Sequence, residues 1–533
     1  MTILDKWPDV TKIPRKSQIE ALESIEKNID KKNFVIQLPV GAGKSITGVT
    51  TSRFLSNGDG SSFIVTPQKL LQQQYEDTFP KKMLASLYGK NNYQCSEKGV
   101  NCELGAMIQP RCPNCCHTIA RDHAMSNPNW VMNYKLALTY SLHHSDLLKK
   151  RELMIYDECH TLESHLTEFD SLSLSQKELE KYGVDWYSEI EPKKIYNWVI
   201  TDVFTKISSF VISKQSYKEQ LINELSKGQT TPDEDKELSE LIKLTDFCSN
   251  IERFIDEVNP STLTEEYVFI IDSGTIKIKR LFAKSPYNRF FAPLSNKSIF
   301  MSATILNQKM YCQDIGLDIK DTAFITTDSE FPKENRPVYY IPSMKMNASW
   351  KNNEREKDRN KMIFNIKKVI GFHPSHKGII HTGTFDIARW IVKELQKDNK
   401  VKHMIFHHNP SDYDSVNRDD IINRYINCKS PAILISPSIT EGLDLYDDLA
   451  RFAIIAKIPY LTLSDDWIKT RMKLSNEWYQ RQALIQVLQG SGRIVRSATD
   501  WGTTYILDEL WSMLYNQTSQ YIPQWWKDAY QQV

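Results

Sequence analysis

Ile36-Gln37-Leu38-Pro39-Val40-Gly41-Ala42-Gly43-Lys44-Ser45 is an apolar strand running into a glycine-rich loop that ends in a lysine and a hydroxyl. Glycines at 41 and 43 let backbone N–H groups close around phosphates, Lys44 reaches the β- and γ-phosphates, and the Ser45 hydroxyl is placed to ligate Mg2+. Leu38 stands where the usual eight-residue pattern has its first glycine. About 110 residues further on, Leu153-Met154-Ile155-Tyr156-Asp157-Glu158-Cys159-His160 is a second apolar strand that delivers two carboxylates at its end. Asp157 would hold the metal, and Glu158 would orient or deprotonate the attacking water. Found in this order and at this separation, the two stretches predict an α/β nucleoside-triphosphate motor.

The flanking sequence has the rhythm of a parallel sheet. Apolar Ile19, Leu22, Ile25 and Ile29 at helical spacing precede a strand over 34–38. A buried strand over 62–66 stops at Pro67 and leads into a helix over 70–79, and short apolar strands return at 130–132 and 153–156. From about 166 to 290 the texture becomes charged and helical, with Leu238, Leu241, Ile242 and Leu244 on one face and a polar loop at 228–235. Two alternating stretches, 267–271 and 275–279, flank Asp272-Ser273-Gly274 as a hairpin. A strand and polar loop follow in Ser298-Ile299-Phe300-Met301-Ser302-Ala303-Thr304. A second α/β unit begins near 331, with strands at 377–381, 432–436 and 452–456. Two such lobes leave a cleft, and Gln489-Gly490-Ser491-Gly492-Arg493-Ile494-Val495-Arg496 offers the cation that a closing cleft needs. An arginine aimed at the γ-phosphate is worth roughly 10³–10⁵ in rate.

A chain of 533 residues exceeds one hydrophobic core, and 41% hydrophobic residues supply several, so three or four domains are expected. No apolar run is long enough to span a bilayer, and Met1-Thr2-Ile3-Leu4-Asp5-Lys6-Trp7 lacks a signal-peptide pattern. A cytoplasmic setting is expected, or the nucleoid or a host cytoplasm for a mobile-element product. The net charge of +1 excludes a whole-chain polynucleotide signature, so any DNA-binding surface must be local. Five of the nine cysteines, Cys95, Cys102, Cys112, Cys115 and Cys116, fall within 22 residues. In a reducing compartment that clustering favours a metal over disulfides, and Cys112-Pro113-Asn114-Cys115 gives the turn that points two thiolates at one ion. Zinc and a [4Fe–4S] cluster both accept such ligands. Cys159, Cys248, Cys312 and Cys428 are dispersed and read as small packing residues. Trp467, Trp478, Tyr479, Trp525 and Trp526 are candidate stacking platforms for bases.

The ordered set of Gln18, the phosphate loop, Asp157-Glu158-Cys159-His160, Ser302-Ala303-Thr304, Glu441-Gly442-Leu443-Asp444-Leu445 and Gln489 to Arg496 resembles the XPD/DinG family of superfamily 2 DNA helicases. Asn92-Tyr93-Gln94-Cys95, Asn133-Tyr134 and Phe331-Pro332-Lys333-Glu334-Asn335-Arg336 extend the likeness over nearly the whole chain. The resemblance implies two RecA-like motor lobes, with an iron–sulfur insertion and an arch-like, mostly helical insertion in the first. It also implies ATP-driven 5′ to 3′ translocation on single-stranded DNA, with tailed duplexes as substrates.

On that resemblance the first lobe takes 1–92, 123–165 and 291–330, the cysteine insertion 93–122, the arch 166–290 and the second lobe 331–533. Cys95, Cys102, Cys112 and Cys115 become the cluster ligands, with Cys116 the spare thiol or the alternative to Cys115. Gln18 recognises adenine, with Arg15 nearby. His160, Ser302 and Thr304 couple nucleotide to DNA, and Asp444, Gln489, Arg493 and Arg496 complete the site from the second lobe. Cys159 replaces the usual alanine, Ser45 replaces the commoner threonine, and the cysteine segment is compact. With the phosphate loop starting near 38, no nuclease domain is expected before it. A monomeric motor suffices. The competing expectations are a nucleotide-switched DNA clamp or remodelling ATPase, zinc-stapled and without unwinding, and a motor directed to RNA or RNA–DNA hybrids.

Overall fold

The computed structural model describes residues 1–8, 13–95, 102–106, 114–189, 191–407, 418–429, 431–437, 445 and 447–533. In chain order, β1 (Asn33–Gln37), β2 (Ser62–Thr66), β3 (Leu84–Ser86), β4 (Asn129–Asn133) and β5 (Arg151–Asp157) enter a first sheet. β6 (Leu172–Ser175), β7 (Tyr267–Asp272) and β8 (Thr275–Arg280) make a small antiparallel sheet, and β9 (Ser295–Ser302) and β10 (Thr322–Thr326) return to the first. β11 (Val338–Met344), β12 (Lys377–His381), β13 (Ile405–His407), β14 (Ala432–Ser436), β15 (Phe452–Ile455), β16 (Thr503–Asp508) and β17 (Tyr530–Gln532) build the second sheet.

The first sheet runs β10-β1-β9-β5-β2-β4-β3 and the second β13-β14-β12-β15-β16-β11-β17, with every paired neighbour parallel. All residues of β1, β2, β12 and β14 are buried, as parallel strands covered by helices on both faces must be. The chain is therefore two RecA-like α/β lobes. The apolar faces of the first sheet seed two cores, one around Trp130, Tyr134 and Phe300, the other around Leu22, Phe34 and Ile155.

Between β5 and β9 the chain leaves the lobe. Helices Pro192–Trp198, Thr205–Ser213, Gln215–Lys227 and Pro232–Glu257 dominate this excursion. The last begins with Pro232 behind a Thr231–Glu234 capping box, which satisfies N–H groups that the helix itself leaves open. The expected hairpin is present as β7–β8, and β6 adds a third strand that the sequence did not disclose. Leu104, from the cysteine segment, packs into the same small core as Leu221, Leu225, Leu238, Leu241 and Ile242. The cysteine segment and the helical excursion thus touch through apolar contact.

Four of the five aromatic residues proposed as base platforms are core residues instead. Trp467, Trp478, Trp525 and Trp526 are buried. Three of these indoles donate inward: Trp467 to the Arg280 carbonyl at 2.9 Å, Trp478 to Glu163 at 2.9 Å and Trp526 to Ser491 at 2.8 Å. Tyr479 is half-buried and donates its hydroxyl to the Leu461 carbonyl at 2.8 Å. Among the described residues, no helix is long and apolar enough to cross a membrane.

Candidate nucleotide site

The C-terminal ends of β1, β5 and β9 deliver Gln37, Asp157 and Ser302 side by side, where parallel α/β sheets bind ligands. Beyond β1 the chain turns through Gly41 (φ +75) and Gly43 (φ +80) into the helix Lys44–Ser56, whose first N–H groups face the loop. Gln18 is buried against this loop. Its Nε2 donates to the Gly43 carbonyl at 3.2 Å, its Oε1 accepts from the Arg15 N–H at 2.8 Å, and the Arg15 guanidinium donates to the Gly41 carbonyl. Gln18 and Arg15, expected beside the adenine, brace the loop through these bonds. The opposite flank is close-packed too, since a Cβ at 41 would lie 2.8 Å from the Arg496 carbonyl and from the Phe331 ring.

Lys44 Nζ lies 2.8 Å from Glu158 Oε1. Glu158 Oε2 accepts from Ser302 Oγ at 3.3 Å and sits 3.3 Å from His160 Nδ1, which in turn is 2.8 Å from Ser302 Oγ. Ser302 Oγ accepts the Thr304 N–H at 3.2 Å, and Thr304 Oγ1 accepts from Gln489 Nε2 at 2.7 Å. One polar chain therefore joins the phosphate-loop lysine to the second lobe. Glu158 is held at φ +48, a left-handed conformation unusual for a side-chain-bearing residue.

Burial opposes the Glu158 charge, but the Lys44 ammonium and His160 outweigh it and hold the carboxyl well below the usual carboxylate range. Burial also works against the Lys44 ammonium, and Glu158 and Asp157 overcome it and raise its pKa. Burial, then the neighbouring Glu158 charge, pushes Asp157 up to about 6. Two carboxyl groups crowded at the end of one strand, with a hydroxyl close by, suit a divalent cation: Ser45 and Asp157 fit Mg2+ as an oxygen donor set. Three tyrosines frame this strand end. Tyr75 donates to Asp157 Oδ2 at 3.2 Å, Tyr134 to the Asp157 carbonyl at 3.0 Å and Tyr311 to the Cys159 carbonyl at 3.1 Å. Tyr134 was named from sequence only as part of the Asn133-Tyr134 motif, and Tyr75 and Tyr311 not at all, because nothing local marks a tyrosine that meets its partner only through the fold.

Lys44, Ser45, Asp157, Glu158, His160, Gln489, Arg493 and Arg496 all line one cleft of about 550 Å3, a volume within the range of ligand pockets. Asp444 and the rest of its motif up to that point lie outside the described residues.

Of the cysteines, Cys95 and Cys102 are buried, Cys115 is half-buried and Cys116 is exposed, while Cys112 lies outside the described residues. The Cys102 and Cys115 thiols are within hydrogen-bonding reach of each other, and Cys102 also feels the charge of Cys95. Burial opposes the Cys115 thiolate, but the Thr118 hydroxyl and N–H, Cys102 and the His117 N–H at the start of the helix Cys116–Ser126 outweigh it and lower its pKa. Among the described residues no three His, Cys, Asp or Glu side chains enclose a metal position. The thiol donor set itself fits a thiolate-bound metal.

Residues 366–529 match the helicase C-terminal domain family, and residues 11–183 match the type III restriction enzyme res subunit family. The chain is 23% identical over 373 residues to the ATP-dependent DNA helicase CHL1 of Vanderwaltozyma polyspora, covering 61% of this chain and 42% of that protein. It is 27% identical over 172 residues to the Fanconi anemia group J protein homolog of Gallus gallus, covering 26% of this chain and 12% of that one. The chain thus spans less than half the length of these curated relatives. Two solved structures share the fold at 14% identity. An XPD helicase aligns over 98% of this chain and 100% of its own with a TM-score of 0.63, and S. tokodaii Xpd4 over 97% and 100% with 0.56.

Proposed function

We propose that this chain, a member of the XPD/DinG-like superfamily 2 helicases, is an ATP-dependent DNA helicase that moves 5′ to 3′ on single-stranded DNA and separates the duplex ahead of it. The observation that carries the reading is the polar chain from Lys44 through Glu158, Ser302 and Thr304 to Gln489. It links a phosphate-binding lysine to the opposite lobe through the residue that would activate water. The proposed division keeps the first lobe at 1–92, 123–165 and 291–330, the insertions at 93–122 and 166–290, and the second lobe at 331–533.

In this reading the γ-phosphate of ATP takes the place of the Glu158 carboxylate against Lys44, and Glu158 is released to orient the attacking water. Gln18, Gly41, Gly43, Ser45, Asp444 and Gln489 complete the nucleotide site. Ser45 and Asp157 would hold Mg2+, whose contribution would be to neutralise the phosphate charge. Arg493 and Arg496 reach the γ-phosphate from the second lobe and draw the cleft closed, and loss of phosphate lets Lys44 and Glu158 pair again. His160, Ser302 and Thr304 pass that change to the strand, which is gripped mainly by its phosphates. Cys95, Cys102, Cys112 and Cys115 would hold a [4Fe–4S] cluster, or zinc in its place, whose contribution is to staple the segment beside the strand channel. Two lobes in one chain make a monomer sufficient.

The test is strand separation by anaerobically purified protein with ATP and Mg2+, on duplexes carrying a 5′ or a 3′ single-stranded DNA tail. Release from the 5′-tailed duplex alone, abolished in Lys44→Ala, is the expected result. Hydrolysis without release from either duplex would overturn it in favour of a clamp.

A further inference from the structure

The Tyr75 hydroxyl touches one of the two groups expected to hold the metal: it donates to Asp157 Oδ2 at 3.2 Å. Its ring is buried on the helix Lys69–Thr78 and stacked on Phe79, with centroids 6.1 Å apart and planes at 22°, so the hydroxyl has little freedom to swing.

We propose that Tyr75 is a positioning residue for the divalent cation, fixing the rotation of the Asp157 carboxylate that would hold the metal. This rests on the reading of the site as a Mg2+-dependent ATPase. A phenol has one hydrogen to give, and here it goes to Asp157 Oδ2. The other Asp157 oxygen, Oδ1, accepts the Glu158 N–H at 3.0 Å, so each carboxylate oxygen has one partner and a remaining lone pair. The backbone at this point is fixed independently, since Tyr134 and Tyr311 hold the carbonyls of residues 157 and 159. The rotation of the Asp157 carboxylate is the freedom left, and Tyr75 removes it. Groups that orient metal ligands in this way contribute about 10–100-fold in metal affinity.

The test is Tyr75→Phe in the full chain, which removes one oxygen and keeps the ring. Binding of a fluorescent ADP is titrated with Mg2+, and binding of Mn2+ in the presence of ADP is followed by electron paramagnetic resonance. The expected result is a rise of about tenfold or more in the half-saturating concentration of either ion. ADP affinity without metal should stay unchanged, and kcat should recover at saturating Mg2+. Wild-type half-saturation in the folded variant would overturn the proposal, as would equal losses of ADP affinity with and without metal. If Tyr75→Phe does not fold, Tyr75→Leu carries the same titrations with the same two outcomes. A wild-type chain whose nucleotide binding ignores Mg2+ would instead overturn the ATPase reading, so the two failures are distinguishable.

Discussion

Gly43 shows how tightly single residues are constrained here. Its φ is +80, and a Cβ at this position would overlap Gln18 Nε2. Gly43→Ala should therefore push Gln18 off the loop and strain the backbone, weakening nucleotide binding about tenfold or more in an equilibrium titration. Glu158→Gln acts differently. It removes the charge that neutralises Lys44, so ATP should bind at least as tightly, while kcat falls by about 10²–10⁴. Weaker ATP binding in that variant would contradict the displacement of Glu158 by phosphate. Lys44, Ser45, Asp157 and Glu158 were legible in sequence because a phosphate loop and an acidic strand end have fixed spacing. The Lys44–Glu158 ion pair and the Tyr75 hydroxyl were not, because they depend on how β1, β5 and their helices are set side by side.

At the scale of elements, several strands buried on both faces were readable as continuous apolar runs, and β1, β2, β5, β12, β14 and β15 were found within a residue or two, whereas β10, β11 and the fully buried β16 were not named. β3, β13 and β17 were missed because three-residue edge strands carry no pattern of their own, and β6 because its partner is more than 100 residues away. Junctions between elements also hide titratable groups. His373 ends the helix Glu356–Phe372, stacks on Phe452 of β15 with centroids 4.7 Å apart, and meets the Tyr505 hydroxyl of β16 at 3.0 Å. Burial, and then the neighbouring His376, lower its pKa to about 4. The unfolded chain takes up that proton near pH 6.5 while the folded chain does not, so stability is lost as pH falls from about 6.5 to about 4. His373→Gln should reduce the proton uptake on unfolding at pH 5 by close to one, measured from the pH dependence of denaturant midpoints. The cysteine segment is tested as an element by Cys102→Ser. Its expected effect is loss of bound metal in iron and zinc analysis and loss of strand separation, with part of the ATP hydrolysis retained; unwinding by the metal-free variant would remove the stapling role.

The whole molecule depends on a contact far simpler than its cleft. Arg471 and Arg481, on helices Asp466–Leu474 and Asn476–Ser491, are buried against Glu163 and Asp314 of the first lobe. Arg471 reaches Glu163 at 2.6 Å and Asp314 at 2.9 Å, Arg481 pairs with Asp314, and the Trp478 indole donates to Glu163. Glu163 belongs to the helix Leu162–Phe169, which follows the Asp157–His160 strand end almost directly, while Arg481 shares its helix with Gln489. The node therefore ties the helix behind the Asp157–Glu158 strand end to the helix that carries Gln489 into the cleft. Separating two buried cations from two buried anions at every turnover would cost several kcal/mol per stranded charge, so cleft movement is expected to pivot about this contact and leave it intact. Arg471→Met should cost about 3–5 kcal/mol in denaturant unfolding, because it strands Glu163 in an apolar setting. Adding Glu163→Gln should return much of that loss, and the double-mutant cycle measures the coupling directly. A negligible coupling energy would mean that the two lobes are not held together at this node, and the pivot would have to lie elsewhere.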